Sequence, residues 1–220
     1  LSDEHGYHQR VGLREQKAQR TRAAILEAAL DLFGEHGFEQ TTMDQIAACA
    51  EVGVATVYRY FATKEQVLLD PVVQSRGALA AKVAARPLEE SIEESLGRAL
   101  LEYLDEYDRD AERWLRLRDL LDRAPGPRAR LWDVLAQERM LLEEAIAART
   151  GAAADDLRVV ISAHTTMMVL ELAVDLRRSP ARPVTSVDAA RDILDVLASG
   201  RIVLPRLPAD SAGDREPAPE

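Results

Sequence analysis

Apolar residues recur three and four positions apart along almost the whole chain, and no stretch alternates apolar with polar as a half-buried strand would. That period confines the 220 residues to an all-α fold. A first helix is expected from about Lys17 to His36, with Ile25, Ala29, Leu32 and Phe33 as its apolar stripe and Gly37 as its stop. Thr42 with Gln45, and Thr63 with Gln66, match the capping box, in which side chain and backbone satisfy each other's orphan N–H groups. The second box opens a long helix predicted to reach Ala85, kinked at Pro71. After Pro87, helices are expected at about 88–108, 110–123, 127–149, 155–178 and 186–199. Pro125-Gly126-Pro127, Thr150-Gly151 and the stretch Pro180 to Pro183 separate them.

Between Thr42 and Phe61 the pattern shortens to two brief helices around a tight turn at Glu51 to Gly53. A longer helix followed by such a pair is the three-helix arrangement of a DNA-binding head. Ile46, Ala47 and Ala50 face inward from the first short helix, and Val52, Val57 and Phe61 from the second. Val54, Ala55, Thr56, Tyr58, Arg59 and Tyr60 are left for the outer face, where a recognition helix meets the major groove.

The charge is distributed to match. The net charge is -10, which argues against coating nucleic acid without regard to sequence. Yet Arg10, Arg14, Lys17, Arg20 and Arg22 face a single acid, Glu15, between Gln9 and Arg22, whereas from Glu65 onward there are 21 basic and 29 acidic residues. A basic end on an acidic body suits a protein that touches phosphates at one end only. The expected organisation is a flexible basic arm over 1–16, a helix-turn-helix domain over 17–64, a helical second domain over 65–204, and a proline-bearing disordered tail over 205–220. Cys49 is the single cysteine, so no intrachain disulfide forms. The opening Leu1 to Arg10 is polar, and the apolar stretch from Val159 to Val174 is interrupted by Ser162, His164 and Glu171 and is short for a membrane span. A cytoplasmic protein with no membrane partner is the expectation.

Thr41-Thr42-Met43-Asp44-Gln45-Ile46-Ala47, then Val54-Ala55-Thr56-Val57-Tyr58-Arg59-Tyr60-Phe61, then Thr63-Lys64-Glu65 closely resemble the signature of the TetR family of transcriptional regulators. The resemblance covers about residues 17–69 and implies a dimeric, ligand-responsive regulator, most often a repressor, that binds palindromic double-stranded operator DNA. It implies phosphate contacts from Thr41, Thr42, Tyr58, Tyr60 and Lys64, with Arg59 on the same face, and base contacts from Val54, Ala55 and Thr56. Met43 lies where some members carry a base-contacting polar residue. The turn departs from the family by carrying Glu51 where glycine is usual, and a left-handed backbone there costs on the order of 1 kcal/mol.

The same resemblance implies that the last two helices pair with those of a second copy. Leu157, Val160, Ile161, His164, Met168 and Leu172 form one apolar face, and Val187, Ala190, Ile193, Leu194 and Leu197 the other. Tyr103, Tyr107, Trp114, Trp132, His164, Met167 and Met168 are candidates to line a pocket for a small-molecule effector, since aromatics and methionines suit an adaptable apolar site. No catalysis, metal or cofactor is expected. A small helical enzyme would need more than His164, which lacks a Ser or Cys at nucleophile-like spacing, and Glu89, Glu90, Glu93 and Glu94 suit a helix N-terminus without chemistry. An interaction protein that has lost DNA binding has only Glu51 and the scarcity of lysine in its favour.

Overall fold

The computed structural model describes residues 3–179, 181 and 183–205, with backbone alone for 3–11. The described residues form ten helices: α1 (Asp3–His36), α2 (Met43–Cys49), α3 (Val54–Tyr60), α4 (Lys64–Gln74), α5 (Ala78–Ala84), α6 (Ile92–Arg109), α7 (Ala111–Arg123), α8 (Pro125–Thr150), α9 (Leu157–Arg177) and α10 (Ser186–Ala198). The all-α fold is as expected.

Two boundaries differ from the sequence reading. The first helix begins at Asp3, so the segment expected as a flexible arm continues α1 from residue 3 on. Residues 3–16 contain no proline, and Glu4, Gln9, Arg10, Leu13, Arg14, Glu15 and Gln16 are good helix formers, against Gly6 and Gly12. The expected tail beyond residue 205 lies outside the described residues, as does the side chain of Arg10.

The long helix expected from Thr63 to Ala85 is broken, and not at Pro71. Pro71 sits inside α4, while the chain turns at Ser75 to Gly77, where Gly77 adopts φ +80°. Glycine alone takes that backbone without penalty. The Gly77 N–H donates to the Glu138 carboxylate of α8, which is 8% exposed. The long helix fails here because the left-handed residue ends it and a carboxylate from another element takes the freed donor.

The core has two parts. One joins Ile25, Leu30 and Phe33 of α1, Ile46 of α2, Val57 of α3 and Val67 and Leu68 of α4 to Leu117 and Leu121 of α7 and Leu131 of α8. The other joins Leu79 of α5, Leu100 and Leu104 of α6, Leu142 and Ile146 of α8, Ala163 and Met167 of α9 and Ala189 and Ala190 of α10. The apolar packing of the head therefore does not stop at residue 64. It runs through α4 into α7 and α8, and Leu135 packs against both parts. By length and hydropathy α9 would pass for a membrane span. It packs instead against α8, α10 and α6, burying Val159, Ala163, Met167, Val169 and Ala173.

Candidate nucleic-acid interface and interior cavity

The head is built by local rules. Thr42 Oγ1 accepts the Gln45 N–H at 3.2 Å, and Gln45 Oε1 accepts the Thr42 N–H at 2.8 Å, so the expected capping box opens α2. The second box is altered: Thr63 Oγ1 accepts the Gln66 N–H, but Gln66 Oε1 reaches past it to the Ala62 N–H at 2.8 Å. At the turn, Val52 N–H bonds the Ala47 carbonyl at 3.0 Å and Glu51 N–H the Ala48 carbonyl at 3.2 Å. Glu51 has φ 54°, the left-handed conformation glycine would supply. The turn is left-handed at Glu51, and the backbone of this non-glycine residue bears the strain.

Val57 (0% exposed) and Phe61 (2%) anchor α3. Ala55, Tyr58 and Arg59 are exposed, and Val54, Thr56 and Tyr60 are half-buried along its edges. The Arg59 guanidinium lies over the Tyr60 ring, 5.3 Å from its centroid, and Tyr60 leans on Phe61 with centroids 6.5 Å apart. Arg14, Lys17 and Arg20 are exposed on the first half of α1. The outward face of α3 and these cations are chemically suited to a duplex: aromatic hydroxyls and charge for phosphate, small side chains for base edges.

Two residues expected at phosphates are turned inward. Thr41 is 1% exposed, and its hydroxyl donates to the Gly37 and Leu32 carbonyls at 2.9 and 3.2 Å. Lys64 donates from Nζ to the carbonyls of Phe38 (2.7 Å), Glu39 (3.1 Å) and Thr41 (3.4 Å), with Nζ 4.5 Å from the Phe38 ring centroid. A lysine that closes three carbonyls at a helix C-terminal loop is a staple between α1 and α4, and its charge is already engaged. Met43 is buried in the head core.

Sequence reasoning missed the joint between head and body. Arg22 of α1 donates from Nε to Asp70 Oδ2 of α4 at 2.8 Å and from Nη2 to Oδ1, and its guanidinium lies 4.9 Å from the Phe61 centroid. The bond to Asp70 raises the Arg22 pKa further above its ordinary value. Arg22 had counted only as one more cation of a basic end, because nothing local marks its partner 48 positions away.

The cavity lies where the two parts of the core meet. It holds about 100 Å³. Val72, Leu117, Leu121 and Leu131 from the head side face Leu170 and Val174 of α9, with Leu135 between. Tyr103, Tyr107 and Trp114 line it. Tyr107 and Trp114 stack with centroids 5.4 Å apart and planes at 21°. Burial pushes the Tyr107 phenol up to about 12 and also raises that of Tyr103. Trp132 is 58% exposed and Met168 41% exposed, His164 is on the surface, and Met167 (4%) is packed in the core of α9. None of these four lines the cavity. Glu171 does line it, and so does Arg118. The acid that interrupts the apolar run of α9 was the available signal for Glu171.

Residues 25–70 match the family model described as bacterial regulatory proteins, tetR family, and residues 90–200 match the model for the MftR C-terminal domain. The chain is 34% identical over 152 residues to the HTH-type transcriptional regulator TcmR of Streptomyces glaucescens, covering 66% of this chain and 67% of that protein. The chain belongs to the TetR family. This TetR-family member is thus a helix-turn-helix, DNA-binding regulator of transcription. It is also 46% identical over 50 residues to the HTH-type transcriptional regulator YdeS of Bacillus subtilis, a match covering 23% of this chain and 25% of that protein. Among solved structures, the complex of SmeT with triclosan superposes with a TM-score of 0.63 at 20% identity, covering 91% of this chain and 100% of that one. Native NalD of Pseudomonas aeruginosa, the secondary repressor of the MexAB-OprM efflux pump, gives 0.60 at 23%, covering 83% and 97%. FadR of Bacillus subtilis in complex with stearoyl-CoA gives 0.59 at 19%, covering 81% and 98%. Those three likenesses speak to the TetR fold.

Proposed function

We propose that this TetR-family protein is a homodimeric repressor that binds palindromic operator DNA and is released by a small-molecule effector in the cavity between its two cores. The observation that carries the reading is the position of that cavity. Its wall includes Val72 of α4, Leu117 and Leu121, which belong to the same apolar cluster as the head or pack against it. A ligand that parts these side chains acts on the packing that orients α3. Such a ligand shifts the population between DNA-binding and released states by its difference in affinity for the two, typically about 1–3 kcal/mol.

The dimer reading is supported by α9. Leu157 (70% exposed), Ile161 (55%), Met168 (41%) and Leu172 (44%) line one face with His164 among them. Residues at that spacing form an apolar stripe left largely exposed among the described residues. On the α10 face expected to pair beside it, Ala190 is fully buried, while Val187, Ile193, Leu194 and Leu197 are half-buried against the core and keep part of their surface outward. Pairing through α9 sets two copies of α3 apart, and a palindrome requires them about 34–36 Å from each other. SmeT is described in complex with triclosan and FadR in complex with stearoyl-CoA, which supports a small-molecule effector here.

The DNA upstream of the protein's own coding region provides the test, by fluorescence anisotropy at several salt concentrations together with sedimentation. Sequence-dependent binding of a dimer, weakening steeply with salt, is the expected result. A monomer indifferent to every DNA sequence would end this reading. Ile161→Asp on the unpartnered face of α9 should give monomers and abolish operator binding while the head stays folded.

A further inference from the structure

We propose that the cavity takes an uncharged effector carrying a carbonyl oxygen, ketone or amide, which accepts a hydrogen bond from Arg118 Nε. The inference rests on the effector reading above and deepens it.

Hydrogen bonding sets the first half. Of the buried side-chain nitrogens and oxygens left without a hydrogen-bond partner among the described residues, Arg118 Nε is the one that belongs to the cavity lining. It lies 3.5 Å from Asp122 Oδ1, close enough for attraction between charges, yet it makes no hydrogen bond there. Nη2 of the same guanidinium is 3.6 Å from Asp175. An arginine nitrogen can only donate. A buried donor without an acceptor carries a desolvation cost, and a ligand oxygen that accepts from it removes that cost. The rest of the lining is mostly leucine, valine and aromatic rings, which suits the apolar remainder of such a molecule.

Charge sets the second half. An anion at Nε would meet Asp122 and Asp175, and Glu171 of the same lining. Carboxylates are already in excess there, because Arg118 and Arg178 serve Asp119, Asp122 and Asp175, with Arg178 at 3.0 Å from Asp119 and 2.6 Å from Asp122. A cation fares no better. Arg118 stands in the lining and repels it, and Arg118 already acts on Glu171: burial raises the Glu171 pKa, the Arg118 charge opposes that rise, and Asp175 adds to it. An uncharged acceptor escapes both repulsions.

The test uses the full-length protein without DNA. The probes are cyclohexanone and methylenecyclohexane, which share a shape and differ in the acceptor, with cyclohexanecarboxylate and cyclohexylammonium as the charged counterparts. The pair 2-heptanone and 2-methyl-1-heptene repeats the contrast on an open skeleton. Arg118→Lys puts a methylene where Nε stood and keeps a cation for Asp122 and Asp175. By titration calorimetry this variant should weaken each ketone by roughly fivefold or more and leave each alkene within about twofold. The carbon-13 signal of the bound carbonyl should lie further downfield in the unsubstituted protein than in Arg118→Lys. Both charged probes should bind more weakly than cyclohexanone. Ketone affinity indifferent to Arg118→Lys, equal weakening of the alkenes, tighter binding of either charged probe, or no binding of the ketones would overturn the proposal. Operator affinity of the ligand-free protein is read separately, so loss of the regulator reading and loss of the carbonyl reading cannot be confused.

Discussion

Arg22 of α1 grips Asp70 of α4 with both Nε and Nη2, and this ion pair ties the DNA-binding head to the helix that follows it. The two partners are unequal. Asp70 is 5% exposed, whereas the Arg22 side chain is 36% exposed. Arg22→Ala leaves a buried carboxylate whose remaining side-chain partner is Gln74 at 3.3 Å, and this should cost about 3 kcal/mol. Asp70→Asn leaves a guanidinium that water can reach, and should cost about 1 kcal/mol. Urea unfolding of the two variants checks the asymmetry. Equal losses would mean that burial of Asp70 is not what gives the pair its weight.

Lys64 should behave as a staple rather than a DNA contact. Its ammonium faces three backbone carbonyls. Lys64→Met is expected to lower stability by roughly 1–3 kcal/mol, since charged hydrogen bonds to these carbonyls, two of them part-buried, are lost. The slope of log affinity for operator DNA against log salt should stay where it was. A phosphate contact would instead reduce that slope by about 0.9. Arg59→Ala gives the opposite pair of results, a shallower slope and nearly unchanged stability.

Glu51 carries φ 54° at the turn between α2 and α3. Glycine adopts that backbone freely but costs more entropy to order. Relief of strain should outweigh the entropy, so Glu51→Gly is expected to raise stability by about 0.5–1 kcal/mol. Operator affinity should be retained, because the turn is already in the conformation glycine prefers. Thermal melting and anisotropy decide it, and a destabilised Glu51→Gly protein would show that the glutamate side chain has a stabilising partner in solution.

The half-buried phenol of Tyr107 makes alkaline stability a readout of the cavity. Its pKa is raised to about 12 in the folded protein, against about 10 in an unfolded chain. The folded state therefore holds the proton more tightly. The associated stability is complete below about pH 10 and is lost as pH rises toward about 12. Tyr107→Phe should flatten that part of the melting temperature profile, and a ligand in the cavity should steepen it.

Much of this was legible in the chain because it is local. Helix positions follow from spacing, and Thr42 and Gln45 cap each other across three residues. The inward turn of Ile46, Val57 and Phe61 follows from the 3.6-residue period, and all three are buried. The site was legible only in part. Tyr107, Trp114 and Trp132 read alike as aromatics on amphipathic helices, yet two stack in the cavity and one is exposed. Thr41 and Thr42 are neighbours of one type, and only the first is buried.

The amino-acid order determined the helices, their caps and the head's inward and outward faces, since each depends on residues within a turn or two of one another. The tertiary arrangement decided that the chain breaks at Gly77, that Arg22 meets Asp70, and that Glu171 faces a cavity between two cores. Those outcomes depend on how helices far apart in the chain are rotated against each other. That rotation is set by the packing of whole faces, to which no short stretch of sequence has access.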